Sequence, residues 1–257
     1  LGLSLDEDFC FEEFADRVAE LVEKHVNINR LLELTKPVAT AVVPISAGRH
    51  IYKREPSFPI AVACDPAFNF VYEANIRYLH HLGEVTYFSP LADTSLPDAG
   101  FVYLPGGYPE LYLAALSANR QMLQSIRRYV ESGGKLLAEC GGMMYLCDEI
   151  RDKNGDVYPM AGVLHQSATM ENMKLRLGYR TLLCNETRLK GHEFHYSRLV
   201  EQQNPLPSCA VAYTAKGVET DTPLYHYKNV WAGYTHLYWA DPVGNEWFTK
   251  FVIDGNT

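Results

Sequence analysis

The segment Lys135-Leu136-Leu137-Ala138-Glu139-Cys140-Gly141-Gly142-Met143-Met144-Tyr145-Leu146 constrains this chain more than any other. Lys135 to Glu139 is short and mostly apolar, as in a strand covered on both faces. Gly133-Gly134 punctuates its start. The strand stops at Cys140, and a helix is expected from Met143 to Ile150. The turn between them is tight, and the small residues it needs stand two positions before and after the cysteine, at Ala138 and Gly142. That is the pattern of a nucleophile elbow with cysteine in place of serine. An elbow is expected to expose its cysteine. The helix N-terminus behind it offers free N–H groups and partial positive charge, which favour the thiolate. The ordinary fate of a free cysteine is to pack as a small hydrophobe, so a partner elsewhere in the chain has to decide.

The 257 residues allow one large domain or a domain with an appendage. A net charge of -8, with no basic run, makes nucleic acid an unexpected partner. No apolar run is long enough to span a bilayer and no signal-peptide pattern is present. The six cysteines lie far apart, with no CxxC pair and no zinc spacing. They read as reduced thiols of a cytoplasmic protein, and no metal site is expected.

Residues 1–58 differ from the rest. Phe14, Val18, Leu21 and Val22 have helical spacing within a helical stretch from Phe11 to Leu34, with a second short helix expected from Ile28 to Leu34. Asp8 is a candidate cap. From Lys36 to Pro59 there is no periodicity, and Pro37, Pro44, Pro56 and Pro59 mark a connector. From residue 59 to 257 the pattern is that of a folded domain. Strands are expected at Ile60–Cys64, Glu84–Ser89, Phe101–Leu104 and Lys135–Glu139. Helices are expected at Tyr72–Leu82, Glu110–Leu116 and Asn119–Ser132. This alternation predicts an α/β fold with a doubly wound, mostly parallel sheet. Asp65, Gly106-Gly107 and Cys140 then converge on the rim formed by the strands' carboxyl ends. Beyond Asp152, Val157–Leu164, Arg176–Cys184, His192–Leu199, Ala210–Tyr213 and Tyr225–Tyr227 suit antiparallel strands. Trp231–Thr235 reads as a last strand ending at His236, and Trp247–Ile253 as a closing helix.

A nucleophilic cysteine needs a base. His236, just past a strand end, is the leading candidate. His192 and His195 are its rivals, while His80 and His81 read as surface residues of a helix. An attacked carbonyl also needs an oxyanion hole. The Gly141 N–H is one donor by elbow logic. The Gly106-Gly107 turn is the candidate for the other, because glycine lets backbone approach a ligand closely.

Pro105-Gly106-Gly107-Tyr108-Pro109-Glu110, Glu139 to Leu146, and Gly191-His192-Glu193-Phe194-His195-Tyr196-Ser197 together resemble the class I (triad-type) glutamine amidotransferases. More narrowly, they look like the C-terminal glutaminase half of cobyrinic acid a,c-diamide synthases. The resemblance covers residue 59 to the C-terminus and implies a flavodoxin-like fold. Leu1-Gly2-Leu3 and the helix after it look like the tail of that family's ATP-dependent synthetase domain. The chain is therefore expected to be the C-terminal part of a longer enzyme. Residues 1–58 would be a synthetase remnant plus linker, and 59–257 the amidotransferase domain.

The resemblance implies that Cys140 attacks the glutamine amide and that His236 activates it. It implies an oxyanion hole at Gly107 and Gly141, and glutamine binding by Gly106, Tyr108, His195, Tyr196 and Ser197. Ammonia would pass to the missing synthetase domain, which uses ATP and magnesium to activate the acceptor's carboxylates. No cofactor is expected in this chain, which has no phosphate-loop motif. Besides the missing phosphate loop, one point stands apart from the family pattern. Triad enzymes commonly carry a glutamate two residues after the histidine, and here that position is Tyr238. Asp241 is the alternative carboxylate. The acceptor (cobyrinic acid, hydrogenobyrinic acid or nickel sirohydrochlorin) is left open. So are two competing readings: another cysteine hydrolase on the same kind of sheet, or a non-catalytic module that docks a synthetase.

Overall fold

The computed structural model describes residues 10–35 and 58–254. They fall in two units, split between the first range and the second. The expected connector from residue 36 to 57, and Asp8 as a cap, lie outside the described residues.

The first unit holds α1 (Phe11–His25) and α2 (Ile28–Leu34). Glu12 and Glu13 in the first turn of α1 and Lys24 and His25 in its last complement the helix dipole. Asn27 caps α2 by accepting the Arg30 N–H at 2.9 Å. Neither helix buries a residue, and Leu21, Leu31, Leu32 and Leu34 are all exposed.

The second unit runs β1 (Pro59–Ala63), α3 (Glu73–Leu82), β2 (Glu84–Phe88), β3 (Phe101–Leu104), α4 (Leu113–Ala118), α5 (Arg120–Glu131), β4 (Lys135–Glu139) and α6 (Gly141–Leu146). Next come β5 (Glu149–Arg151), β6 (Val157–Pro159), β7 (Ser167–Thr169), β8 (Arg176–Cys184), β9 (Thr187–His195) and β10 (Arg198–Leu199). The chain closes with β11 (Val211–Thr214), β12 (Glu219–Thr220), β13 (Leu224–Tyr227), β14 (Val230–Gly233), β15 (His236–Leu237) and α7 (Pro242–Thr249). The main sheet has the order β13-β14-β4-β3-β1-β2 and is parallel except for edge strand β13.

Its central strands are apolar between their ends because both faces are covered. Ala61, Val102, Leu136, Ala138, Val230 and Ala232 pack on one side with Met122, Leu123, Ile126 and Val130 of α5. Ile60, Val62, Phe101, Tyr103, Leu137 and Trp231 pack on the other with Leu79 of α3 and Phe248 of α7. The period-two alternation of the strands thus builds two cores, one per face. A five-stranded sheet (β12-β11-β8-β9-β15) is antiparallel throughout, and a four-stranded sheet (β10-β7-β5-β6) is antiparallel except for the parallel pair β5 and β7. The α/β class and the two styles of sheet are as the sequence predicts.

Several local expectations differ: the strand from Val157 ends at Pro159 and not at Leu164, and the stretch His192–Leu199 divides between β9 and β10. The helix after Cys140 ends at Leu146, and Glu149–Arg151 forms β5 against β6 and β7. The strand at Trp231 stops at Gly233, so Tyr234 and Thr235 leave the main sheet and His236 joins the five-stranded one. The closing helix starts at Pro242, set by Asp241 as its cap and Pro242 at its first turn. Among the described residues no helix is long and apolar enough to cross a membrane, and all six cysteines are free.

Candidate active site

The carboxyl ends of β1, β3, β4 and β14 meet at Cys140. Its N–H donates to Gly233 O at 2.8 Å and its carbonyl accepts the Met144 N–H at 3.0 Å. The residue belongs to both strand and helix, and the turn forces φ 48° and ψ −105° on it. A non-glycine residue there carries strain of about 1–3 kcal/mol, which the surrounding structure has to hold. Gly142 N–H donates to Pro105 O at 3.0 Å, tying the elbow to the Gly106-Gly107 turn. A Cβ on Gly142 would stand 2.1 Å from Leu104 O. This position admits no side chain, as the small-residue pattern implies.

Gly107 sits at φ 155°, and a Cβ there would meet Ala67 O at 2.2 Å. Its amide nitrogen lies 3.3 Å from the point a Gly141 Cβ would occupy. The two proposed oxyanion donors are therefore neighbours. The loop beneath them is held by Asp65, which accepts the Ala67 and Phe68 N–H groups with one oxygen and Ser89 Oγ–H and the Leu91 N–H with the other. Ala67 O accepts the Tyr108 N–H at 3.0 Å. Asp65 does reach the rim, where it organises the loop.

His236 is buried, with its ring against the backbone of Gly106; a Cβ on Gly106 would be 2.2 Å from His236 Cε1. Phe70, whose N–H donates to Gly106 O at 3.0 Å, packs its ring 4.5 Å from the imidazole. The rival His192 pairs with His236 across β9 and β15 and stacks on it at 5.1 Å. The Tyr72 hydroxyl lies 2.5 Å from His192 Nδ1. His195 stacks on Tyr234 at 3.8 Å, and its Nδ1 lies 2.8 Å from Ser197 O. Ser197 Oγ–H reaches Met144 Sδ and the Tyr234 hydroxyl, both at 3.2 Å. The His195-Tyr196-Ser197 segment is thereby pinned to α6, the helix that follows Cys140. His195 and Ser197 are buried, whereas Tyr108 and Tyr196 are half-buried. His80 and His81 are exposed, as expected.

Two expectations are corrected. Cys140 is only 5% exposed. Burial pushes its thiol well up, with Glu110 adding to the rise, and the hydrogen bond from the Gly141 backbone opposes it too weakly to win. The resting state is the thiol, because desolvation outweighs one turn of helix dipole. Asp241 is not the carboxylate that orients His236. It accepts the Gly244 N–H at 2.7 Å as the cap of α7 and pairs with Lys190 at 2.9 Å.

A residue that sequence reasoning passed over stands in that place. Glu139 Oε2 is 3.9 Å from His236 Nδ1. Glu139 is 2% exposed and accepts the Tyr103 hydroxyl at 2.7 Å and the Leu237 N–H at 3.0 Å. The available signal was a lone carboxylate in a strand covered on both faces, where a charged group is rarely buried without partners. Burial raises Glu139 from 4.5 to about 8, against the lowering pull of the donors around it, Tyr103 first. Burial, helped by His192 and His195, pushes His236 from 6.5 down to about 3.

Glu139 thus binds its proton more tightly in the folded state. Its contribution to stability is fully present below 4.5 and is lost as pH rises towards about 8, at about 1.4 kcal/mol per pH unit. His236 has the opposite sense: its contribution is present above 6.5 and lost as pH falls towards about 3. Glu139→Gln should therefore melt several degrees above wild type at about pH 8, with the gain shrinking towards about pH 5. Melting curves at both pH values check this, and an equal shift at both would contradict it.

The model of the CobB/CobQ-like glutamine amidotransferase domain matches residues 59–243. The chain belongs to that family. It is 36% identical to the cobyrinate a,c-diamide synthase of Picrophilus torridus, over 87% of this chain and 49% of that protein. It is 37% identical to the hydrogenobyrinate a,c-diamide synthase of Pseudomonas aeruginosa, over 88% of this chain and 52% of that protein. The chain spans about half the length of these curated relatives. A crystal structure of a glutamine amidotransferase superposes on 75% of this chain and 98% of its own, with a TM-score of 0.49 at 17% identity.

Proposed function

We propose that this chain is the glutaminase part of an a,c-diamide synthase acting on a corrinoid precursor in cobalamin biosynthesis. The observation that carries the reading is the family match across residues 59–243, which spans the elbow, the glycine turn and His236. Cys140 Sγ attacks the side-chain amide carbon of glutamine as His236 takes the thiol proton. Gly107 and Gly141 N–H groups hold the oxyanion. The intermediate collapses to a γ-glutamyl thioester as His236 protonates the departing ammonia. Water then attacks the thioester, releasing glutamate and restoring the thiol.

Gly106, Tyr108 and the His195-Tyr196-Ser197 segment form the glutamine cleft. The ammonia is consumed by an ATP- and magnesium-dependent synthetase part, of which residues 1–58 are a remnant plus linker. Six free thiols suit the reducing cytoplasm. Burial of Cys140 favours a second reading, a docking module with an inert thiol. The strained backbone at Cys140 speaks against it, since strain of that kind persists where it serves a reaction. The test is glutamine turnover by the 257-residue chain without ATP. Glutamate and ammonia in equal amounts are expected, and no glutamate would favour the docking module.

A further inference from the structure

A histidine that takes a proton from a thiol gains a charge, and its second ring nitrogen needs a partner that fixes the ring and matches that charge. Tyr238 carries no carboxylate, and Asp241 is engaged with α7 and Lys190. His236 Nδ1 is buried and has no hydrogen-bond partner, and the carboxylate within reach of it is Glu139 at 3.9 Å. That carboxyl is not free to swing. The Tyr103 hydroxyl holds Oε2 from β3, and the N–H of Leu237, the residue after His236, holds Oε1. The same side chain therefore faces the imidazole and anchors its backbone, from the position directly before the nucleophile.

Resting on the glutaminase reading of Cys140 and His236, we propose that Glu139 is the positioning residue of this site: it holds the His236 ring through Nδ1 and balances the imidazolium that forms during attack. The gap of 3.9 Å is longer than a hydrogen bond. Such contacts are commonly long in unliganded sites and tighten when substrate closes them. Neutral His236 keeps its one proton on Nδ1, towards Glu139, and leaves the Nε2 lone pair for the thiol. The S–H bond breaks, an N–H bond forms at Nε2, and the new charge lies against the ionised carboxylate. Nε2 later gives this proton to the leaving nitrogen, and Glu139 ends the cycle as it began.

The titratable groups facing the pair are Tyr103 on β3, Tyr72 before α3, His192 and His195 on β9, and Cys140 itself. Burial drives both tyrosines and the thiol well up and holds both histidines below their usual value. Among these groups, Glu139, near 8, has its titration inside the range of a rate measurement from about pH 7 to about pH 9.

The experiment compares kcat and KM for glutamate release across that range in wild type, Glu139→Gln, Glu139→Asp and Cys140→Ser, with melting curves alongside. For wild type, kcat should rise through about pH 8 at constant KM. For Glu139→Gln it should fall by roughly 100-fold, with KM within about twofold, lose its rise with pH and melt no lower than wild type. Glu139→Asp should keep the rise. A Glu139→Gln profile parallel to wild type, or a loss of rate that only tracks a lower melting temperature, overturns the inference while Cys140-dependent release still stands. Release that is unchanged in Cys140→Ser, or absent from wild type, overturns the glutaminase reading and this inference with it.

Discussion

Cys140→Ser should lower glutamate release by roughly four to six orders of magnitude, the scale of losses when the nucleophile of a catalytic unit is removed. The strained backbone at φ 48° points the side chain out of β4, and a hydroxyl at that place keeps the shape but not the nucleophilicity. The fold should survive, since serine replaces a thiol of similar size at an elbow fixed by backbone hydrogen bonds to Gly233, Pro105 and Met144. Melting temperature within a few degrees of wild type, with activity gone, is the expected pair of results. Substantial release by the variant would remove Cys140 from the chemistry.

His236→Ala should cost roughly 100- to 10,000-fold in kcat, the usual share of a positioned acid–base group. The loss has two parts. The resting thiol is protonated because burial pushes it up, so attack needs a base to take the proton. The leaving nitrogen then needs that proton back. KM should change little, because a group that acts by moving protons contributes to the transition state and not to ground-state binding. Adding His236→Ala to Cys140→Ser should cost nothing further, as expected of residues that act as one unit. Steady-state rates of the two single variants and the double variant measure this. A double variant far below Cys140→Ser would show that His236 acts elsewhere.

Much of this was legible in the chain. Continuous apolar runs such as Ile60 to Ala63 and Leu136 to Ala138 mark strands buried on both faces, and glycine at 142 marks the elbow that follows. What escaped was non-local. The main sheet lets go of the chain after Gly233, and nothing between Trp231 and His236 signals that His236 and Leu237 will pair with β9. Strands as short as Ser167–Thr169 give too few residues for a period to register. The thiolate expectation failed because the helix behind Cys140 is read from sequence, whereas burial depends on what the rest of the fold lays over it. Asp241-Pro242 is a readable helix start, which assigns Asp241 to the cap. Glu139 was visible as an oddity, an acid at the end of a buried strand, but its partner lies in another sheet.

The most direct measurement treats the protein with a chloroketone analogue of glutamine and maps the adduct by peptide mass spectrometry. One equivalent on Cys140, blocked by excess glutamine and absent from Cys140→Ser, is the expected result. Label on another of the six cysteines, or none on Cys140 even with a synthetase partner supplied, would contradict it.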